Sequence, residues 1–565
     1  MNRILKFGLV TLLLLFAVSC SKYKYETVPN DPTNTRIYTL DNGLKVYMSV
    51  TKDEPRIDAH IAVKVGGKND PKETTGLAHY FEHLMFKGTE SFGTQNYELE
   101  KPLLDAIEAQ FEIYRVTEDE DERKAIYSVI DSLSYEASKY AIPNEYDKLM
   151  AAIGADGTNA YTGYDMTVYT ENIPSNQIEN WAKIQADRFA NNVIRGFHTE
   201  LETVYEEKNM SLTQDSRKIY EQMFSALFKN HPYGTQTVLG TQQHLKNPSI
   251  TNIKNYYKEW YVPNNIAICM SGDFNPDEAI AIIDKYFGEL KPNPDLKKME
   301  FEPEAPINEP VVREVYGLES PSVTVAWRFP GIKDPSSNML DVIGQIMNNG
   351  QAGLIDLNVN QQQKVLSAFG GNYAQADYSV FLLQARPKQG QSLEEVKEIL
   401  LAEVENLKKG NFDENILKAI VNNYKLSQIQ YLESSYGRTD SFVNCFINEV
   451  PWERFISQVD NISQITKEQV VAYANEYFGD NYAVINKLQK KDPNELKIAK
   501  PEITPIFMNR DTSSAFLREI QASVVTPIEP VFVDFSKDMQ KGTAKNGVEV
   551  LYKKNEKNDL FQLGI

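Results

Sequence analysis

The residues best suited to chemistry lie at positions 76–89, which contain the pattern His79-x-x-Glu82-His83. On a helix, residues four apart lie one turn above the other on one face, so both imidazoles can bind one Zn²⁺ ion. Glu82 stands beside them, where a carboxylate can take a proton from a metal-bound water. The chain has six histidines, so a pair at this spacing is expected by chance roughly 0.06 times. The pattern predicts a zinc site; the alternative is two surface histidines on an amphipathic helix.

A strand–loop–helix unit is predicted to position these residues. Residues 58–65 alternate in the manner of a β-strand, and Gly66-Gly67 ends it. Thr74 and Thr75 are candidate N-caps for the motif helix, and Lys87-Gly88 is a suitable stop. Upstream, an Asn-Gly turn within residues 41–48 predicts a hairpin.

The remaining chain predicts repeated units of the same kind. Residues 322–347 repeat the strand–loop–helix order, but no His or Glu stands where the motif was. Asn546-Gly547 and the alternation after it repeat the Asn42-Gly43 hairpin. We therefore expect an α+β fold of two-layer units, each a mostly antiparallel sheet packed against helices, with two complete units and the truncated start of a third. The alternative at residue 546 is a coincidental hairpin.

Composition shifts give the expected boundaries. They place a signal peptide at 1–20, a tether at 21–35, a first unit at 36–290 with a helical hairpin at about 97–150, a linker at 291–312, a metal-less second unit at 313–500, a linker at 501–540 and the start of a third unit at 541–565. The acidic run 117–122 within the hairpin is interpreted as a solvated turn.

The first residues predict export. Arg3 and Lys6 precede an apolar core that is too short to span a bilayer, and Cys20 follows a small residue directly after it. This order resembles a bacterial lipobox and implies lipidation of Cys20, which would anchor the protein in a membrane facing the periplasm or cell surface. The alternative is an ordinary signal peptide with an incidental cysteine. The net charge of -19 argues against nucleic acid as a partner.

The stretch from His79 to residue 89 resembles the insulinase/pitrilysin family of zinc peptidases, which includes the mitochondrial processing peptidases. The resemblance implies His79 and His83 as zinc ligands, Glu82 as the general base, and Glu207 as the third ligand. The family's Glu-x6-Glu pair matches Glu200 and Glu207, which makes Glu200 a carboxylate that orients a ligand histidine.

Two further features follow from the same resemblance. Glu206 is the rival to Glu207 as third ligand. The segment Asn159-Ala160-Tyr161-Thr162 resembles the family's edge strand, to which a peptide adds as an extra strand; the alternative is a structural strand after a glycine turn.

The expected activity is therefore that of an endopeptidase with one Zn²⁺ per chain, acting on unfolded peptides or oligopeptides. Family enzymes close a chamber from two halves, so a C-terminal half or partner subunit is expected to complete this one. Two alternatives stay open: a non-catalytic structural or peptide-binding half of a larger complex, and a zinc hydrolase of small amides.

Overall fold

The computed structural model describes residues 22–493 and 503–565. It contains a seven-stranded sheet, a five-stranded sheet and a two-stranded hairpin. Helices pack against both larger sheets, and all but one strand pair in each is antiparallel. The predicted α+β class, with mostly antiparallel sheets packed on helices, is confirmed.

The first sheet has the order β1-β2-β3-β7-β4-β6-β5, which places β5 at an edge. Its central strands β4 and β7 are almost wholly buried, because helices cover both of their faces. The strands are β1 (Tyr25–Glu26), β2 (Arg36–Thr39), β3 (Lys45–Val50), β4 (Arg56–Val63), β5 (Asp156–Thr162), β6 (Thr167–Pro174) and β7 (Ile266–Gly272).

Eleven α-helices lie between β4 and the end of the first unit in the described residues. They are α1 (Leu77–Leu84), α2 (Tyr97–Tyr114), α3 (Glu120–Ser138), α4 (Glu145–Ala152), α5 (Ile178–Ala190), α6 (Phe197–Leu212), α7 (Asp215–Leu227), α8 (Pro232–Thr235), α9 (Gln242–Lys246), α10 (Ile250–Trp260) and α11 (Pro276–Phe287). The acidic run after α2 is more than a turn: α3 begins inside it, and the Asp119 side chain accepts hydrogen bonds from the amides of Asp121 and Glu122. Acidic residues favour a helix N-terminus, which explains where α3 starts.

The second sheet has the order β10-β11-β9-β12-β8. Its parallel pair β8/β12 corresponds to β3/β7, so the five strands repeat the order β5-β6-β4-β7-β3 of the first sheet. The elements are β8 (Val311–Gly317), β9 (Ser322–Pro330), α12 (Ser337–Met347), β10 (Ser367–Ala374), β11 (Tyr378–Arg386), α13 (Leu393–Lys408), α14 (Asn415–Glu433), α15 (Ser435–Ile447), α16 (Trp452–Ile456), α17 (Gln458–Ser463), α18 (Lys467–Tyr477) and β12 (Tyr482–Gln489).

The two units exchange one helix each. Helix α7 of the first unit packs on β8 and β12 of the second sheet, and helix α15 of the second unit packs on β4 and β7 of the first. Phe442 and Phe446 of α15 are buried in a cluster with Tyr47 and Cys269 of the first sheet. Each sheet therefore needs the other unit to bury its second face.

The segments predicted as a tether and as the second linker both contain residues packed against the rest of the protein. In residues 22–35 of the predicted tether, β1 pairs with β2, and the buried Asp31 accepts a hydrogen bond from Trp452 Nε1 at 2.8 Å. The predicted linker 501–540 contains α19 (Ala515–Ala522), whose Leu517 and Ile520 join the main core. In both places a few apolar or capped residues are enough to dock the segment.

A separate hairpin, β13 (Gln540–Thr543) and β14 (Glu549–Tyr552), lies near the end of the chain. Its register pairs Thr543 with Glu549, matching the pairing of Thr39 with Lys45 in β2/β3. The same turn hydrogen bonds recur, from Gly43 to Leu40 and from Gly547 to Ala544. Among the described residues, this hairpin forms a sheet of its own, with every strand residue exposed.

Within the described parts of the chain, no helix has both the length and the apolar character needed to cross a membrane. The predicted lipidation site, Cys20, lies outside the described residues.

Candidate metal centre

The motif helix α1 is capped by a residue upstream of the predicted N-caps. The Asp70 carboxylate accepts hydrogen bonds from the amides of Gly76, Leu77 and Ala78, at 2.7–3.1 Å. Gly76 has φ +88°, and a Cβ there would lie 2.9 Å from backbone atoms of Gly240. Neither Thr74 nor Thr75 caps the helix; a buried carboxylate and a glycine contact fix its start instead. Burial raises the pKa of Asp70 to about 8, against the effect of the three amide donors.

The ligand atoms predicted for zinc converge. His79 Nε2 lies 3.3 Å from Glu207 Oε2 and 3.3 Å from His83 Nε2, and His83 Nε2 lies 3.5 Å from Glu207 Oε2. A tetrahedral zinc ion with ligand bonds of roughly 2.0–2.1 Å holds its ligand atoms roughly 3.4 Å apart. The three observed separations fit that tetrahedral edge. They are the only group of three or more His, Cys, Asp or Glu residues, within the described chain, close enough to hold a metal.

The neighbouring carboxylate Glu200 is placed to orient one ligand. Its Oε1 accepts a hydrogen bond from His83 Nδ1 at 2.8 Å, and its Oε2 pairs with Lys87. Glu200 and Glu207 are two turns apart on α6, so one helix face carries both. The rival Glu206 is an exposed neighbour outside the three-residue group.

In the protein without metal, the pKa values of the two imidazoles shift in opposite directions. Burial, together with the adjacent His83, lowers the pKa of His79 to about 4. Burial also disfavours the His83 cation, but contacts with Glu200 and Glu207 outweigh it and raise the pKa of His83 to about 9. The carboxylates of Glu200 and Glu207 thus stabilise a positive charge at His83, and a bound divalent cation can take the place of that charge.

The predicted general base is buried beside the ligands. Glu82 is 7% exposed, and its Oε2 accepts a hydrogen bond from Thr162 Oγ1 at 2.5 Å. Burial raises the pKa of Glu82, against the opposing effect of Thr162. A carboxylate with a raised pKa is better suited to accept a proton and then return it.

The segment predicted to bind substrate is the edge strand β5, which pairs with β6 on one side only. Ala160, Tyr161 and Thr162 line a cleft of about 640 Å³ together with His79 and Glu82. Asn159 lies on the same strand and is exposed, but it does not line this cleft. The structure thus brings three of the four predicted residues to the metal centre.

The opposite walls of this cleft come from residues that sequence reasoning missed. Arg217 and Tyr220 project from α7, Tyr373 from β10, and Asn444 from α15. Tyr220 and Tyr373 lie 3.5 Å apart between their hydroxyl oxygens, which joins the two units across the cleft. The sequence gives no signal for these residues, because polar and aromatic side chains at helical spacing are common on protein surfaces. The packing of α7 and α15 on the other unit's sheet brings their side chains to the cleft.

Two protein-family models match this chain. A family model described as "Insulinase (Peptidase family M16)" matches residues 45–106, which contain the motif, and one described as "Peptidase M16 inactive domain" matches residues 249–424. The inactive-domain match begins after Glu207 and covers most of the unit that lacks the motif.

Individual relatives share little sequence identity with this chain but align over long stretches of it. The chain is 23% identical to "Zinc protease PqqE" of Helicobacter pylori over 83% of this chain and 95% of that protein. It is 22% identical to a "Probable mitochondrial-processing peptidase subunit beta" of Schizosaccharomyces pombe, over 46% of each. The crystal structure of a protease from Helicobacter pylori, 21% identical, superposes with a TM-score of 0.67 and covers 82% of this chain and all of that one.

Proposed function

Because the chain belongs to the insulinase family, peptidase family M16, we propose that it is a zinc-dependent endopeptidase. It would hydrolyse peptide bonds of unfolded peptides or oligopeptides. The observation that carries this proposal is the tetrahedral spacing of His79, His83 and Glu207, with Glu82 buried beside them.

One Zn²⁺ per chain fits the donor set, since two imidazoles and one carboxylate leave a fourth position open. Bound there, zinc would supply Lewis acidity, which polarises a carbonyl and lowers the pKa of water to roughly 7. Glu200 holds the His83 ring in place through Nδ1, so that Nε2 is presented with its lone pair toward the site.

The remaining steps belong to protein side chains and backbone. The free edge of β5 would accept an extended peptide by main-chain hydrogen bonds, which select for unfolded segments rather than for side chains. Glu82 would take the proton of the attacking water and deliver it to the amine that leaves. Thr162, which donates to Glu82, keeps that carboxylate aimed at the cleft.

The experiment measures zinc content and peptide turnover together. The purified chain should hold one zinc, cleave fluorogenic peptides internally, lose activity to a chelator and regain it with zinc. A length series separates the rivals: an endopeptidase gains rate with peptide length, whereas a hydrolase of small amides does not. Zinc-loaded protein that cleaves neither peptide nor amide, also after addition of a homologous partner chain, would refute the proposal.

A second candidate function is a non-catalytic, peptide-binding half of a larger complex. The inactive-domain match over residues 249–424 favours it. Peptide binding without turnover, also after a homologous partner chain is added, would establish this function in place of the first.

We further propose that another polypeptide covers the cleft. Support comes from hairpin β13/β14, whose apolar Val548, Leu551 and Tyr552 are 52–56% exposed, and from the Schizosaccharomyces pombe relative, which is named as a subunit. Co-purification with a homologous chain, followed by a rise in peptide turnover on mixing, is the expected result.

For localisation we propose an exported lipoprotein anchored through Cys20 and facing the periplasm or cell surface. The sequence alone supports this. Labelling cells with a tagged fatty acid should mark the parent chain and leave a Cys20→Ser variant unmarked.

A further inference from the structure

The described chain is attached to the folded body from its first residues. Lys22 Nζ lies 3.0 Å from Asp284 Oδ2 of α11, and the Tyr23 hydroxyl donates a hydrogen bond to the same oxygen at 2.8 Å. Tyr23 also packs against the main core, and β1 (Tyr25–Glu26) then pairs with β2. A lipid on Cys20 would therefore be joined to the fold through a chain reach of roughly 7 Å.

One row of paired residues connects this attachment point to the cleft. Strands β1 and β5 are the two edges of the seven-stranded sheet. The row that begins at Tyr25 of β1 ends at Ala160 of β5, which lines the cleft. From strand to strand, its members are Tyr25, Tyr38, Val46, Ile268, Ile61, Tyr169 and Ala160. Because neighbouring strands lie about 4.8 Å apart, this row spans roughly 29 Å.

The charge of the protein opposes a broader contact with the lipid. The chain has a net charge of -19, and an anionic lipid surface attracts basic segments and repels acidic proteins. A single short attachment, together with repulsion of the remaining surface, keeps the β1 edge nearest the lipid. The β5 edge, which carries the cleft, is then the edge farthest from it.

We propose that the first sheet is a spacer, which holds its β1 edge at the membrane and the cleft roughly 29 Å from the lipid surface. The proposal rests on the lipid anchor at Cys20 and on the peptidase activity proposed above. It adds a substrate class: polypeptides that reach the aqueous layer at this height, rather than segments that emerge directly from the bilayer. A membrane-attached polypeptide would need an extended spacer of about nine residues, at ~3.1 Å per residue, before the bond that is cleaved.

The test places the full lipidated chain on vesicles of phosphatidylethanolamine and phosphatidylglycerol. Fluorogenic peptides are attached to the same vesicles through an acyl group, with proline-rich spacers of about four, eight, twelve or sixteen residues, because such spacers stay extended. We expect cleavage to be at least tenfold slower with the shortest spacer than with the longest, and to rise between the second and the third. Equal rates with all four spacers would overturn the proposal.

The matched control is Cys20→Ser, which removes the anchor and leaves the described residues unchanged. This unanchored form can turn its cleft toward the lipid, so its rate should depend far less on the spacer; the same dependence in both forms would overturn the proposal. A free peptide of the same sequence identifies the other failure. If neither form cleaves it, the proposed peptidase activity fails, and a distance measurement alone decides the geometry.

That measurement requires neither zinc nor turnover. Glu26→Cys in β1 and Asp156→Cys in β5 each place a thiol-linked dye at an exposed position of one edge, whereas Cys269 and Cys445 are buried. Energy transfer to acceptor dyes on the lipid headgroups should be severalfold stronger from position 26 than from position 156. Equal transfer from both positions, stronger transfer from position 156, or no transfer from either would overturn the proposal.

Discussion

Removing the charge of Glu200 should weaken zinc binding although Glu200 is not itself a ligand. Its two oxygens contact His83 Nδ1 and Lys87 Nζ. In Glu200→Gln, the amide oxygen can still accept from His83, but the amide NH₂ must then face the Lys87 cation. Loss of such a partner typically lowers metal affinity 10–100-fold, which corresponds to about 1.4–2.7 kcal/mol.

The assay is competition for zinc against a chelator of known affinity, with circular dichroism as a check on folding. Glu202→Gln is the matched control, since it makes the same change two residues along the same helix, away from the three-residue group. The double variant Lys87→Met/Glu200→Gln removes the NH₂–cation contact, so a deficit that persists in it does not arise from that contact. Unchanged zinc affinity in Glu200→Gln would refute the orienting role of Glu200.

Three further outcomes are expected. Glu82→Gln should lower peptide turnover by about 10²–10⁴-fold while the zinc content stays at the parent value; parent-like turnover would exclude Glu82 as the base. His83 carries a proton below its pKa of about 9, and zinc must displace that proton in order to bind. The apparent zinc affinity should therefore rise with pH between 7 and 9, and titrations in buffers of different ionisation enthalpy should detect about one proton released. A pH-independent zinc affinity would contradict this expectation. In a denaturant titration, Phe442→Ala in α15 should reduce the free energy of unfolding by about 3–5 kcal/mol. Tyr436→Ala, at an exposed position of the same helix, should reduce it far less. Equal reductions in the two variants would contradict the packing of α15 on the first sheet.

The sequence predicts the parts of the fold and site that are local. The spacing of His79 and His83 requires only a helix, and the repeated Asn-Gly turns at positions 42 and 546 require only a hairpin. Both features carry their signal within a few residues, so periodicity and turn chemistry are enough.

Features that depend on distant contacts escaped prediction. Asp70 caps α1 from six residues upstream, through a loop whose path no short pattern encodes. Helix α6 ends near Thr213 and α7 then turns toward the second sheet, at a break that no Pro or Gly marks in the sequence. The docking of residues 22–35 likewise depends on Trp452, more than four hundred positions away along the chain.

The helices exchanged between the units also have a mechanical role. Arg217 and Tyr220 on α7, and Asn444 and Ile447 on α15, form walls of the cleft, while the opposite sides of the same helices are pinned to the sheets. Widening the gap by moving the units apart would strip both sheets of apolar cover, which is costly in water. The cleft is thus a slot of set width, and under the proposed function the entry of a polypeptide is governed at its open rim.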